Sequence, residues 1–371
     1  MLPFDRFAEP FKRPATAKPA PCLVSSTHRY GKFSLPTVAD GNSPEQTLIT
    51  DNTDLNPTDA ALDEALARLR AGELVVIPTE TVYGLAADAE NPAAVARIFS
   101  LKGRPATRPL IVHIPSAEAL SDWAEHVPDY ALTLAQEFWP GPLSLVLQST
   151  ARVPDAVTGG QPSVALRVPA HPITLALLQK FGGGLAAPSA NRYGRISPTT
   201  PAHVRAQFGD ETPYILDGGP CRGGIESTIV SCLETTPRIL RPGLISATDI
   251  REVTSLTVSV QREATAEVRT AGQDASHYAP ITPTLMIHRD DPALWPEPAG
   301  RRVGFLGFAD PPMAVSMSVR LPDDPAAAAE RLYAELHRLD GAGLDVILLE
   351  APPAGPEWDG IRDRLARASA A

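Results

Sequence analysis

Four short segments gather hydroxyls, amides, cations and glycines in the way an anion-binding pocket requires. Thr79 and Thr81 stand in PTETVYGL, directly after the apolar run Leu74–Ile77. Polar residues at the C-terminal end of a buried strand commonly line the ligand crevice of an α/β sheet, and alternation along an extended chain would turn both threonines to one side. Lys102, Arg104 and Arg108 follow in KGRPATRPL. Read as an extended stretch, Lys102 and Arg104 face the same way and Arg108 adds a third cation. Arginine grips phosphate through paired hydrogen bonds, lysine as a point charge. Pro105 and Pro109 fix the backbone and reduce the entropy lost on binding. Ser189 and Asn191 in APSAN, and Ser197 in SPT, supply groups that bond a phosphate or a ribose. The glycines of Asp217–Pro220 and Gly223–Thr228 allow close backbone approach, and Arg238 and Arg241 follow in PRILRPG. Taken singly, each segment is equally at home as a turn: a capping threonine, a solvated basic corner, a loop of Ser, Asn and Pro.

Several other chemistries are missing from the sequence. There is no GxxxxGK(S/T), no GxGxxG after a strand, no GxSxG elbow and no HExxH. Cys22, Cys221 and Cys232 form no CxxC and cannot all pair, which fits a reducing compartment without a zinc ribbon. His113 ends the apolar stretch LIVHI, where a satisfied core histidine is ordinary. Chemistry here is expected to run on polar loops and cations, without a side-chain nucleophile and without a protein-held metal. Acidic residues outnumber basic ones 43 to 33, so the overall charge excludes a protein that coats duplex nucleic acid, while a local basic cleft stays allowed. Arginine outnumbers lysine 28 to 5, which makes a lysine at a motif position conspicuous. No apolar run nears the ~18 residues that span a bilayer, and the first residues lack an apolar signal core. A cytoplasmic protein without membrane contact is expected.

The elements that must carry these segments can be read from periodicity. A chain of 371 residues, 43% hydrophobic, is enough for two domains with real cores. Residues 1–45, rich in Pro, Ala and Ser, read as a flexible extension. Leu62, Ala65, Leu66 and Leu69 fall at helical spacing before Gly72, and Leu74–Ile77 reads as a buried strand. The alternation continues with a helix near Ala93–Leu101, strand Leu110–Ile114, helices around Ala117–Glu125 and Asp129–Phe138, strands Leu143–Leu147 and Ser163–Val168, and helix Pro172–Phe181. This is an α/β pattern with a mixed sheet. The pattern weakens over residues 254–282, read as a linker. A smaller α/β unit follows, with strands Thr284–His288, Val303–Phe308 and Asp345–Leu349 and helices Ala326–Leu339 and Trp358–Ala368.

Together the segments resemble the threonylcarbamoyl-AMP synthase family and its YrdC-like domain. The likeness covers about Asp59 to Gly243. It runs in order through PTETVYGL, KGRP with RPLIVHI, WPGPLS, VALRVPAHP, APSAN, SPT, DGG, ESTI and LRPG. Lys102-x-Arg104 with Ser189-x-Asn191 is similar to the family's paired KxR and SxN signature. The remainder resembles the family's long form, in which a linker carrying HYAP, here His277–Pro280, joins a C-terminal domain. Departures are Ala86 where the family has glycine, Ser144 where it has threonine, and a linker reading AGQDASHYAP without the usual Pro-Gly-Met.

The resemblance implies a twisted mixed α/β sheet around a concave cationic cleft, plus a small Rossmann-like C-terminal α/β domain. The expected boundaries are 1–45, 46–253, 254–282 and 283–371. It implies a nucleotidyltransferase that joins L-threonine, bicarbonate and ATP into threonylcarbamoyl-AMP and releases pyrophosphate. Magnesium would arrive on the phosphates. The product would pass to a threonylcarbamoyl transferase complex for the t6A modification of tRNA, which the chain itself meets only indirectly. Lys102, Arg104, Ser189 and Asn191 would form the catalytic signature. Arg104, Arg108, Ser163, Ser189, Ser197, Arg241 and Tyr278 would bind ATP, with Tyr278 as a lid. Thr81, His113, Arg167, Ala187 and Ser227 would hold threonine, Arg167 facing its carboxylate. The alternatives are a carbamoyltransferase built on the same domain and a double-stranded RNA-binding module without turnover.

Overall fold

The computed structural model describes residues 58–261, 268–272, 274, 276–289 and 300–370. The expected extension over 1–45 lies outside the described residues, as does part of the expected linker. The described chain starts with α1 (Asp59–Arg70), whose Leu62, Ala65 and Leu69 are buried, and runs into the fully buried β1 (Val75–Ile77). β2 (Gly84–Asp88) returns antiparallel to β1, an element that the small residues GLAAD hid from the sequence reading. Then come α2 (Pro92–Lys102), β3 (Ile111–His113), α3 (Leu120–Trp123), β4 (Ala124–Glu125), α4 (Asp129–Phe138) and β5 (Leu143–Ser149). α5 (Asp155–Thr158), β6 (Ser163–Arg167), α6 (Pro172–Phe181), β7 (Leu185–Ala186), α7 (Pro201–Phe208) and β8 (Tyr214–Ile215) follow. β9 (Thr228–Ser231), β10 (Arg238–Arg241), α8 (Ala247–Thr254) and β11 (Ser259–Val260) complete this part.

Two local readings change. Ala117–Glu125 is no single helix: a 3-10 turn leads into α3, and Glu125 belongs to β4, paired with β5. The stretch read as linker from 254 starts as the end of α8 and then adds β11 to the sheet edge, parallel to β10.

The first sheet has the order β11-β10-β9-β5-β6-β3-β7-β2-β1-β8, with β4 alongside β5. It is mixed, as the alternation required. β3 lies parallel to β6 and β5 parallel to β9, while β5 and β6 are antiparallel. Because β3 and β6 are parallel and in register, His113 sits opposite Arg167.

The second sheet is built from β12 (Thr284–Ile287), β13 (Val303–Gly307), β14 (Met317–Arg320) and β15 (Val346–Glu350), with α9 (Pro325–Asp340) and α10 (Asp359–Ala368). All its pairings are parallel, in the order β12-β15-β13-β14. A parallel sheet must be covered, and the apolar residues of VILLE and VGFLG are buried accordingly. Its core is not self-contained. Val82, Ile196, Ile225 and Tyr278 of the first part pack into the cluster formed by α9, α10 and the sheet. The approach is close enough to demand glycine at two points. A Cβ on Gly224, which has φ +70°, would lie 2.0 Å from the Ala329 carbonyl oxygen of α9, and one on Gly360 would lie 2.7 Å from the Gly243 oxygen.

That contact gives a stability prediction. Gly224→Ala should lower the melting temperature by more than about 4 °C, since it adds overlap with α9 to left-handed strain. Gly160→Ala, with φ +77° and nothing within 4 Å, isolates the strain and should cost about half of that or less. Equal shifts in thermal unfolding would show that the close approach has no energetic weight.

Candidate active site

The ends of β1, β3, β6 and β10, the start of β9 and the turns after α2 and β7 converge on one cleft. Thr81, Arg104, His113, Arg167, Ala187, Ser189, Ser227, Arg241 and Tyr278 line it, so most of the residues expected from the sequence share a single wall system. Thr79, Glu226, Ala271, Gly272 and His277 are also part of the lining.

Each cation is pinned by oxygen atoms. Arg167, at the end of β6, donates to the Gly141 carbonyl at 3.2 Å, to Thr81 Oγ1 at 3.0 Å and to Glu80 Oε1 at 2.6 Å. Thr81 and Thr79 hydroxyls meet at 2.8 Å, which confirms that the two threonines turn to one side. Arg241, at the end of β10, donates from Nε and one terminal nitrogen to the Ser227 carbonyl at 3.1 and 2.9 Å and to Ser227 Oγ at 3.2 Å. Its other terminal nitrogen reaches the Ala271 carbonyl at 3.3 Å. Arg104 donates to the Pro109 carbonyl at 3.0 Å, while its buried Nε has no partner. Burial pulls the Arg104 pKa down to about 10, with the Arg108 charge adding a smaller push in the same direction. A buried guanidinium with an idle donor, lining a cleft, is equipped for an anion.

His113 Nδ1 is likewise buried without a partner. Burial, reinforced by the Arg167 charge, brings its pKa to about 3, so the imidazole facing the cleft is neutral at physiological pH. Tyr278 adopts φ +61° and places an unpartnered hydroxyl at the cleft. The absence of a side chain on Gly272 makes room for it, because a Cβ there would lie 2.1 Å from that hydroxyl.

Other expected site residues stand behind or beside this wall. Lys102 is not extended in parallel with Arg104: it closes α2, and Gly103 turns the chain in the left-handed conformation. Its ammonium is buried and donates to the carbonyls of Ser189 and Asn191, both at 2.6 Å, so it clamps the APSAN loop from behind. Burial, then the Arg104 charge, lowers its pKa. Asn191 spends its amide on the carbonyls of Arg192 and Arg195, both at 2.8 Å. Ser197 is fully buried and donates to Glu226. Arg108 is not an open cation: it pairs with Asp274, which also accepts from Tyr193. Ser163 lines a smaller adjoining hollow with Pro109, Gln161 and Arg269.

Sequence reasoning missed the carboxylates. Glu80 lies inside PTETVYGL, and its spacing gave no sign that it would pair with Arg167 and accept the Ala170 N–H at 3.0 Å. Glu226, inside GGIESTI, is buried and lines the cleft. Burial alone would raise its pKa. The Arg364 and Arg241 charges and bonds from Ser197 and Arg364 outweigh it and hold the pKa at about 2. An acid enclosed by glycines and apolar residues was the available signal, and only its partners give that signal meaning. Among the described residues no three His, Cys, Asp or Glu side chains cluster as a metal site requires, and no helix is long and apolar enough to cross a membrane.

Two family models match the chain. One, described as "Telomere recombination" and named for Sua5, YciO and YrdC, covers residues 67–243, and one described as "Threonylcarbamoyl-AMP synthase, C-terminal domain" covers residues 245–370. The chain is similar to the threonylcarbamoyl-AMP synthase of Pyrococcus abyssi, with 38% identity covering 81% of this chain and 92% of the relative. It is 37% identical to that of Bacillus subtilis, covering 85% of this chain and 95% of the relative. The crystal structure of Pyrococcus abyssi Sua5 complexed with L-threonine superposes with a TM-score of 0.76 at 36% identity, covering 83% of this chain and 94% of that one.

The different duties of the two signature cations are separable by heat. Lys102→Met strands two buried carbonyls and should lower the melting temperature by about 5 °C or more. Arg104→Gln removes a group whose Nε is already idle and should stay within about 2 °C of wild type. Equal losses would refute the division. Glu226 adds a pH dependence. Its pKa is depressed in the fold, so its stabilisation is complete above about 4.5 and is lost as the pH falls toward about 2. The gap in unfolding midpoint between wild type and Glu226→Gln should therefore narrow between about pH 6 and about pH 3; a constant gap would contradict the assignment.

Proposed function

The chain belongs to the threonylcarbamoyl-AMP synthase family in its long form, and we propose that this cleft joins L-threonine, bicarbonate and ATP into threonylcarbamoyl-adenylate with release of pyrophosphate and water. The observation that carries the reading is the convergence of Arg104, Arg167 and Arg241 on one cleft, beside small hydroxyls and a neutral imidazole. Among the described residues no cysteine lines that cleft. Cys221, which stands behind Thr79, and Cys232 are buried, with thiol pKa values pushed up to about 12 by burial. Such a site is suited to gathering anions and unsuited to covalent catalysis by a thiol.

On this reading Arg167, oriented by Thr81 and the Gly141 carbonyl, takes the threonine carboxylate through its other terminal nitrogen. Glu80 accepts from the same nitrogen that bonds Thr81, so the guanidinium keeps its direction before substrate arrives. His113, Ala187 and Ser227 bound the rest of the amino acid. Arg104 and Arg241 face the phosphates, with Ser189 on the same lining. Ser163 extends the nucleotide side through the adjoining hollow. Lys102 and Asn191 act by holding the APSAN loop, and Ser197 by holding Glu226. Arg108 joins the phosphates after Asp274 releases it.

The reaction follows from placement. The threonine amine attacks the carbon supplied by bicarbonate and water leaves, giving a carbamate. A carbamate oxygen then attacks the α-phosphorus in line, and the bond to the β-phosphate bridge breaks with release of pyrophosphate. Both steps gather negative charge, so fixed cations and reduced water access do the catalytic work. Glu80, Glu226 and Asp274 are all engaged by arginines, so the carboxylates at the cleft do not form a metal cage. We place magnesium on the nucleotide's phosphates and route no step through it. The consumer of the product is then a transferase complex that modifies tRNA, and the setting is the cytoplasm. The C-terminal match over residues 245–370 favours a synthase over a carbamoyltransferase of the same domain. The burial of the arginines inside a cleft counts against a duplex RNA surface.

The test is pyrophosphate release that requires threonine, bicarbonate and ATP together. Release without threonine would overturn the reading. Arg167→Ala should raise the KM for threonine more than tenfold and change that for ATP less than threefold; a change confined to ATP would mean that the two halves of the cleft are exchanged.

A further inference from the structure

We propose that Arg364, on α10 of the C-terminal part, is a positioning residue for the reaction, acting through Glu226 and Tyr278 on the wall of the cleft. The proposal rests on the synthase reading and adds to it a role for the C-terminal part. Arg364 has no exposed side-chain surface, and Glu226 is only 7% exposed. Arg364 Nε donates to Glu226 Oε2 at 2.7 Å. Its terminal nitrogens reach the Pro242 carbonyl at 2.9 Å, Asp363 at 2.7 Å and the Glu226 carbonyl at 3.4 Å. The same guanidinium lies 5.1 Å from the centre of the Tyr278 ring. Tyr333, on α9, donates to Glu226 Oε2 at 3.0 Å and packs against Tyr278 with ring centres 5.9 Å apart.

Two residues that face the cleft are thus fixed by two that do not. Glu226 and Tyr278 line it; Arg364 on α10 and Tyr333 on α9 stand behind them, and Tyr333 belongs to the second sheet's core. Among the described residues Glu226 is the acid that lines the cleft directly, while Glu80 and Asp274 stand on Arg167 and Arg108; Glu226 adjoins Ser227, which holds Arg241. A negative charge on that wall works against both anionic substrates unless a cation balances it from outside. Arg364 supplies that balance without occupying substrate space. Removing its charge should leave that carboxylate to be balanced by Arg241 alone, at the expense of the anions Arg241 would bind, and removing both charges should restore the balance.

The experiment uses the full chain, with steady-state pyrophosphate release, threonine titration by calorimetry and thermal unfolding. Arg364→Gln should raise the KM and the Kd for threonine at least tenfold and lower the melting temperature. The double variant Glu226→Gln/Arg364→Gln should bring both constants back to within threefold of wild type, even if its melting temperature stays low. A double variant as weak as the single one, or an Arg364→Gln variant that melts earlier with unchanged constants, would overturn the proposal. If Arg364→Gln does not fold, Tyr333→Phe decides. It removes one donor to Glu226 at constant volume, and should raise the threonine constants twofold to fivefold with the melting temperature within about 2 °C of wild type; unchanged constants would overturn the proposal. A wild-type chain that binds threonine but releases no pyrophosphate would remove the reaction and leave the positioning to the calorimetry.

Discussion

The constraint behind this architecture is the desolvation of buried cations, to which their mutual repulsion adds. Lys102, Arg104, Arg167 and Arg241 are all less than a tenth exposed. Like charges at such depth must be compensated locally, and the fold does it chiefly with main-chain oxygens. Carbonyls of Pro109, Gly141, Ser189, Asn191, Ser227 and Ala271 each accept from one of these four residues. A carbonyl partly satisfies a cation without cancelling its charge, so the site remains attractive to anions after the donors are tied. Full neutralisation by carboxylates would have emptied the cleft of function. The exception is Arg167, which shares Glu80, and there the charge is offset where a single carboxylate is to be received and not a triphosphate.

The same constraint explains why the two sheets are interlocked. Carbonyls become available where the backbone leaves regular structure, at strand ends and in the APSAN and GGIEST loops. Such loops are poorly supported by their own sheet. Here the second sheet supplies the missing support: Ile225, Val82 and Ile196 enter its core, and Gly224 lets α9 approach to main-chain contact. His337 of α9 bonds the Ser197 carbonyl at 3.1 Å and stacks on His203 at 3.9 Å between ring centres. The loops that carry the chemistry are therefore packed on both sides, which suits a site that must hold groups within a fraction of an ångström.

How much of this was legible depended on the kind of information each residue carries. Helices such as Asp59–Arg70 and strands such as Ser163–Arg167 announce themselves because periodicity and burial are local properties. β2 did not, since GLAAD lacks the branched residues that mark a strand, and it owes its pairing to β1 and β7. The cleft residues on strand ends, Thr81, His113, Arg167 and Arg241, were found through motif order, and the sheet then brought them together. The two signature cations show the limit. Spacing of two suggested a shared direction for Lys102 and Arg104, but the helix end between them sends one to the loop and one to the cleft. That Lys102 is clamped is decided by a chain crossing more than eighty residues apart in sequence, where it meets Ser189 and Asn191, whereas Arg104 bonds only the nearby Pro109 carbonyl and keeps its Nε idle. Glu226 was opaque for the same reason, because its partners Tyr333 and Arg364 lie more than a hundred residues further on.

Burial also sets the charge state in which the cleft waits for substrate. Desolvation lowers the pKa of Lys102 and Arg104 and keeps His113 neutral. Each of these shifts measures how poorly the buried wall of the cleft solvates positive charge. An anion placed beside Arg104 would reverse the sign of that environment, restoring the basicity that burial removed and occupying the idle Nε. Binding of the anion and retention of the proton are therefore one linked equilibrium. A site arranged in this way gains most from a ligand that brings several negative charges at once, because each charge relieves a different buried donor. A polyphosphate meets that condition on the Arg104 and Arg241 side. On the Arg167 side, where Glu80 has already relieved the guanidinium, a single carboxylate suffices. The asymmetry between the two halves of the cleft follows from the position of one acidic side chain.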